Sequence, residues 1–107
     1  MTMIQYYPSD NELLMQGHAG TAPSGRDLVC CACSTLGYTL LQALDDRGID
    51  YSVREDADVA VLHVIADPLD DERYVCRVIF NTIVSGLRAL SAQFPEAINY
   101  KETGGEY

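Results

Sequence analysis

Residues 17–44 read GHAGTAPSGRDLVCCACSTLGYTLLQAL, and the architecture turns on this stretch. Its second part, LVCCACSTLGYTLLQAL (28–44), is apolar nearly all round, the mark of a buried helix rather than a surface one. Its first part is broken by Gly17, Gly20, Pro23 and Gly25 and reads as a loop. Asp27 stands where an N-cap or first-turn acid belongs. The small residues Cys31, Ala32, Cys33 and Ser34 let neighbouring backbone come close. Gly37 weakens the helix locally but serves the same close packing. Asp45, Asp46, Arg47 and Gly48 end it.

Working outward, residues 1–7 (MTMIQYY) read as a short strand, and Pro8, Ser9, Asp10 and Asn11 supply turn chemistry. Glu12 to Gly17 alternates, with Leu13 and Met15 on one face, and reads as the return strand of a hairpin. Beyond the helix, Ile49, Tyr51 and Val53 alternate with Asp50, Ser52 and Arg54, the pattern of a half-buried strand. A polar turn (Glu55 to Asp58) leads into the β-branched run Val59 to Ala66, a second hairpin. Asp70, Asp71 and Glu72 favour a helix N-terminus through the macrodipole. Val75, Val78, Ile79, Ile83, Leu87 and Leu90 follow at helical spacing, and this second helix ends before Pro95. The tail from Lys101 to Tyr107 reads as frayed.

The order ββαββα predicts an α+β domain over residues 1–107. It is a two-layer sandwich, a four-stranded antiparallel sheet with both helices on one face. An exposed second face or sheet edge favours pairing with a second copy.

The 107 residues suit one domain and one core. With 48% hydrophobic residues the chain is an ordered globular protein rather than a disordered one. No apolar run reaches the ~20 residues of a membrane span, and the first residues lack the pattern of a signal peptide. The expected compartment is the cytoplasm, with no membrane partner. The net charge of −9 argues against nucleic-acid binding, which relies on Lys and Arg neutralising phosphates. Ten of the sixteen acids lie between Asp45 and Glu72, beside only Arg47 and Arg54. This run is either a solvated rim or a surface that attracts a basic polypeptide.

Cys30 falls in the first turn of the first helix, and His18 lies twelve positions before it across the glycine loop. A thiolate at neutral pH needs an imidazole or a helix N-terminus nearby, and this segment offers both. Exposed backbone N–H groups there also suit a developing oxyanion. That layout fits a base and a thiol nucleophile, the pairing of a cysteine peptidase. The plainer reading of Cys30 is a small buried hydrophobe, and of His18 an ordinary surface residue. Asp27 either orients His18 or caps the helix. Ser34, one turn beyond Cys30 on the same face, either approaches the thiol or returns its hydroxyl to a backbone carbonyl. His63, in the middle of VLHVI, reads as structural.

The same cysteines admit rival chemistries. Cys30-Cys31-Ala32-Cys33 is formally a C-x-x-C at a helix start, a possible dithiol redox pair, but without the βαβ context that supports one. A zinc site from Cys30, Cys33 and His18 lacks closing ligands, so neither a metal nor a cofactor is expected. Cys31, Cys33 and Cys76 read most simply as core residues. A non-catalytic binding module is the third alternative.

The segment from Gly17 to Ser34 resembles the ribosomal-processing cysteine protease (Prp, or YsxB-like) family. That pattern runs G-H-A-G, a short loop, G-x-D-[IL]-V-C, small residues, then Ser. Here it is Gly17-His18-Ala19-Gly20, then Gly25-Arg26-Asp27-Leu28-Val29-Cys30, then Ser34. The register is ungapped, and a looser likeness extends to the QFPEAI ending. The resemblance implies a two-layer α/β sandwich, usually a homodimer. It implies cleavage of a short N-terminal extension from a large-subunit ribosomal protein. Cys30 matches the nucleophile, His18 the general base, and Asp27 and Ser34 supporting positions. Gly17, Ala19, Gly20 and Gly25 match a loop over the substrate. Two departures stand out: Thr21 replaces an aromatic residue, and Cys31 and Cys33 replace small apolar ones. Phage relatives, which process capsid or scaffold proteins, give an alternative substrate.

Overall fold

The first hairpin forms where two short alternating runs flank a tight turn. The computed structural model describes residues 1–17 and 28–104. Strand β1 (Thr2–Tyr7) sends Thr2, Ile4 and Tyr6 inward, and β2 (Glu12–Gln16) sends Leu13 and Met15. A single 3-10 turn at Pro8–Asp10 joins them, closed by Asn11 in the left-handed region (φ 51°). Asparagine tolerates that conformation better than most residues. The register, Tyr6 opposite Leu13 and Ile4 opposite Met15, puts both apolar sets on one face.

Helix α1 (Leu28–Asp46) buries Val29, Cys33, Gly37, Leu40 and Leu44, a single stripe at helical spacing. The sequence reads as buried all round, but Leu28, Cys31 and Tyr38 are exposed. Among the described residues only one layer lies beneath the helix, and its outer face is exposed. Gly48 (φ 68°) terminates it, and the Ile49 N–H returns to the Leu44 carbonyl at 3.0 Å. Ile49 itself is buried beside that end, the hydrophobic contact that often accompanies a glycine stop.

Strands β3 (Tyr51–Asp56) and β4 (Val61–Ala66) form the second hairpin. Leu62, Val64 and Ala66 enter the core, whereas β3 is exposed along nearly its whole length. The half-buried strand expected there is therefore corrected. β3 is the sheet's edge, and Val53 is left exposed there.

Helix α2 (Arg73–Gln93) buries Cys76, Phe80, Ile83, Val84 and Leu87. Its stripe is rotated slightly from the one expected, so Val78 is exposed and Phe80 is central. The Phe80 ring stacks on Tyr6 at 6.1 Å between centroids. Truncating a buried ring of this kind to alanine costs about 3–5 kcal/mol. At the helix start the Leu69 N–H donates to the Glu72 carboxylate at 2.9 Å, satisfying one terminal donor.

A fifth strand, β5 (Ile98–Glu102), corrects the expected sheet. It pairs parallel to β1, Thr2 beside Ile98 and Tyr6 beside Glu102. The sheet is therefore five-stranded and mixed, in the order β3-β4-β2-β1-β5, rather than four-stranded and antiparallel. Lys101 and Glu102, expected to fray, are held in it. Residues 105–107 lie outside the described residues. The two-layer α+β class holds, with α1 over β2 and β4 and α2 over β1. By length and composition, α1 and the stretch Asp70–Gln93 are apolar enough to cross a membrane. In this fold their apolar stripes pack on the sheet.

Candidate active site

The i, i+4, i+8 row of α1 adjacent to its buried stripe carries Cys30, Ser34 and Tyr38. All three line one cleft of about 220 Å³. Its apolar floor includes Met15, Cys33 and Leu62. The helix lies this low because residue 37 is glycine. A Cβ there would come within 2.5 Å of the Leu62 side chain and 2.6 Å of Met15.

Gly17 forms part of the opposite wall. Its φ of +88° is one that side-chain-bearing residues avoid. A Cβ there would sit 2.6 Å from the Met1 carbonyl oxygen. The Gly17 N–H donates to the Ala60 carbonyl at 2.9 Å, and the Thr2 hydroxyl donates to the Gly17 carbonyl at 3.3 Å. The residue that precedes His18 is thus clamped between β1 and the β3–β4 turn.

The third wall is that turn. Asp56 Oδ1 accepts the backbone N–H groups of Asp58 at 3.0 Å and Val59 at 3.4 Å, which folds the turn against the cleft. Glu55 and Asp56 both line the opening, and its described lining contains no lysine or arginine. The Tyr38 hydroxyl donates to Glu55, tying α1 to the edge strand. That hydrogen bond, then burial and the carboxylate's charge, raises the Tyr38 pKa above its ordinary value.

Of the residues singled out in the sequence, Cys30, Ser34 and Gly17 come together at this cleft. His18, Ala19, Gly20, Gly25 and Asp27 lie outside the described residues. Cys33 and Cys76 are buried as expected, but Cys31 is exposed, correcting its assignment to the core. On a helix with one buried face, the residue after Cys30 points away from the sheet. Burial, with a smaller contribution from the Glu72 charge, pushes the Cys76 thiol up to about 11. His63 occupies the open face of the sheet and pairs with Glu12 at 2.6 Å, away from α1. Among the described residues, no cluster of three or more His, Cys, Asp or Glu side chains is arranged to hold a metal.

The cleft residues missed from sequence include Thr2, Gln16, Tyr38, Ala57, Ala60 and Val61. Of these, Tyr38 leaves a sequence signal, its spacing of eight from Cys30, and the others reach the cleft through strand pairing and the β3–β4 turn. Glu55 and Asp56 belong to the acidic run read from sequence, and the same pairing brings them to the cleft.

The family model for cysteine protease Prp matches residues 2–99. No curated protein sequence matches the chain. Among solved structures, the fold is similar to that of an essential ribosomal processing protease Prp from S. aureus in complex with a covalently linked product peptide. The TM-score is 0.85 at 18% identity, covering 96% of this chain and 100% of that one. It is also similar to SMU.848 from Streptococcus mutans, with a TM-score of 0.74 at 23% identity, covering 94% and 90%. A match over nearly the whole chain, on a fold that places a helix-start cysteine in an open cleft, has one conclusion: the chain belongs to the Prp family of cysteine proteases.

Proposed function

We propose that the chain is an endopeptidase that removes a short N-terminal extension from a large-subunit ribosomal protein, with Cys30 as nucleophile and His18 as general base. The observation that carries the assignment is the shared cleft. The chain enters residues 18–27 from a clamped Gly17 and leaves them just before Cys30, and Gly17 and Cys30 line the same opening. The substrate class draws on the S. aureus protein, a ribosomal processing protease whose structure holds a covalently linked product peptide.

His18 takes the proton from Cys30, and the thiolate attacks the scissile carbonyl. Backbone N–H groups at the start of α1, which lack intrahelical acceptors, stabilise the oxyanion. Asp27 orients His18, and His18 then protonates the leaving amine. Water hydrolyses the thioester and frees Cys30. Ser34 stands one turn along the helix, beside the acyl group. Glu55 and Asp56 draw basic residues of the substrate to the opening.

The test is a mass-spectrometric cleavage assay on the N-terminally extended ribosomal protein of the same genome. The wild-type chain is compared with Cys30→Ala. One cut near the substrate's N-terminus, lost in Cys30→Ala while the fold survives, is the expected result. A fully active Cys30→Ala overturns the nucleophile. No cut by either protein, with Cys30 still alkylating rapidly, overturns the ribosomal substrate and directs the search to viral capsid or scaffold proteins.

A further inference from the structure

Peptide hydrolysis needs one thiol, and this cleft holds two. Cys30 is half-buried and Cys33 buried, and both line the opening. They stand third and sixth in α1. Residues three apart on an α-helix have Cα atoms about 5 Å apart, inside the range of about 4.4–6.8 Å that disulfides occupy. Neighbouring residues such as Cys30 and Cys31 have Cα atoms only about 3.8 Å apart, below that range. Cys31 also faces solvent outside the described cleft lining. Cys76 is buried on the other helix. Cys33 is thus the thiol that the fold delivers to Cys30.

The Cβ separation of an i, i+3 pair is about 5–6 Å, against about 4 Å in a disulfide. Bond formation therefore draws in the first turn of α1. That turn yields most easily, because its N–H groups have no intrahelical acceptors to lose. An accessible cysteine followed three residues later by a buried one, at a helix start, suits an attacking and a resolving thiol.

We propose that Cys30 and Cys33 form a reversible redox pair, with a hydroperoxide as oxidant, that switches the peptidase off and shields its nucleophile from further oxidation. The proposal rests on the reading of Cys30 as the nucleophile. The Cys30 thiolate attacks the terminal peroxide oxygen, and the O–O bond breaks. This leaves a sulfenic acid on Cys30 and releases alkoxide, or hydroxide from hydrogen peroxide, which takes up a proton. Cys33 sulfur then attacks Cys30 sulfur, and the S–O bond breaks. The leaving hydroxide departs as water with the Cys33 proton. Two thiols have lost two electrons, and the peroxide has gained them. A dithiol reductant reverses the bond and is itself oxidised to a disulfide.

The experiment treats the full wild-type chain, Cys33→Ala and Cys31→Ala with limited hydrogen peroxide. Remaining thiols are alkylated, and tryptic peptide 27–47 is mapped by electron-transfer fragmentation. Activity before and after dithiothreitol is expressed relative to each protein's own untreated value. Wild type should lose two hydrogens, carry a Cys30–Cys33 bond and regain nearly all activity on reduction. Cys31→Ala should do the same. Cys33→Ala should carry sulfinic or sulfonic acid on Cys30 and stay at least about tenfold down after reduction.

A Cys30–Cys31 bond, a disulfide between two chains, or equal recovery in Cys33→Ala overturns the proposal. The wild-type map stands even if Cys33→Ala folds poorly. Mapping reads the bond and the assay reads activity, so failure of the redox pair and failure of the nucleophile are told apart. A Cys30–Cys33 bond without loss of cleavage overturns the switch and, with it, Cys30 as nucleophile. Loss of cleavage without the bond overturns the redox pair alone.

Discussion

Substituting Gly17 with alanine tests whether a clamped glycine shapes the cleft wall next to His18. Two costs are separable. A side chain at φ +88° sits in the left-handed region, at roughly 1–2 kcal/mol. The new Cβ would also sit 2.6 Å from the Met1 carbonyl oxygen. That neighbour is backbone, so no rotamer change relieves the clash, and overpacking of this kind adds about 1–3 kcal/mol. The total is about 2–5 kcal/mol, or a fall in Tm of at least about 8 °C for a domain of this size. Gly48→Ala is the control. Its φ is +68°, with nothing within 4 Å of the added Cβ, so it bears the conformational cost alone. Thermal and urea unfolding of both variants should rank Gly17→Ala below Gly48→Ala by about 1–3 kcal/mol. Well below both transitions, Gly17→Ala should also lose more kcat/KM, because its relaxation displaces the residue that precedes His18. Equal losses in the two variants would refute the backbone clash, and a Gly17→Ala protein as stable as wild type would refute the clamp altogether.

The thiols should react unequally. With Cys76 pushed up to about 11, about one in a thousand of its thiols is ionised at pH 8; timed alkylation with peptide mapping should label exposed Cys31 well before Cys76, which reacts only on unfolding. The raised Tyr38 pKa means that its bond to Glu55 contributes stability fully present below the ordinary tyrosine value of 10.0 and lost as pH climbs through the higher folded value. Ultraviolet titration should show late phenols, one of which disappears in Tyr38→Phe while that of Tyr51, which donates to Asp45, remains; a curve unchanged by Tyr38→Phe would contradict the hydrogen bond. Glu55→Gln and Asp56→Asn should each lower kcat/KM on a peptide with basic residues beside the scissile bond by about 1.5- to 5-fold. The double variant should lose the salt dependence of turnover; a wild-type salt profile would show that these carboxylates do not steer substrate.

The sequence by itself determined the elements whose signal is local. The alternation in β1 and β2, the run that becomes α1 and the spacing that becomes α2 each announce themselves within one segment, because the backbone period sets which residues share a face. The cysteine at the start of α1 and its spacing from His18 were legible for the same reason. What the tertiary structure decided is pairing and coverage. Ile98 and Tyr100 alternate too briefly to declare a strand, and only the free edge of β1, 96 residues earlier in register with Ile98, makes β5 one. Val53 alternates like a core residue but lies on the edge strand, where it is left exposed. Cys31 is as apolar as Cys33 yet faces solvent, since two layers bury only one side of α1. The acidic wall of the cleft is of the same kind. Glu55 and Asp56 come opposite Cys30 through the β3–β4–β2 pairing, a relation between distant segments that no local period encodes.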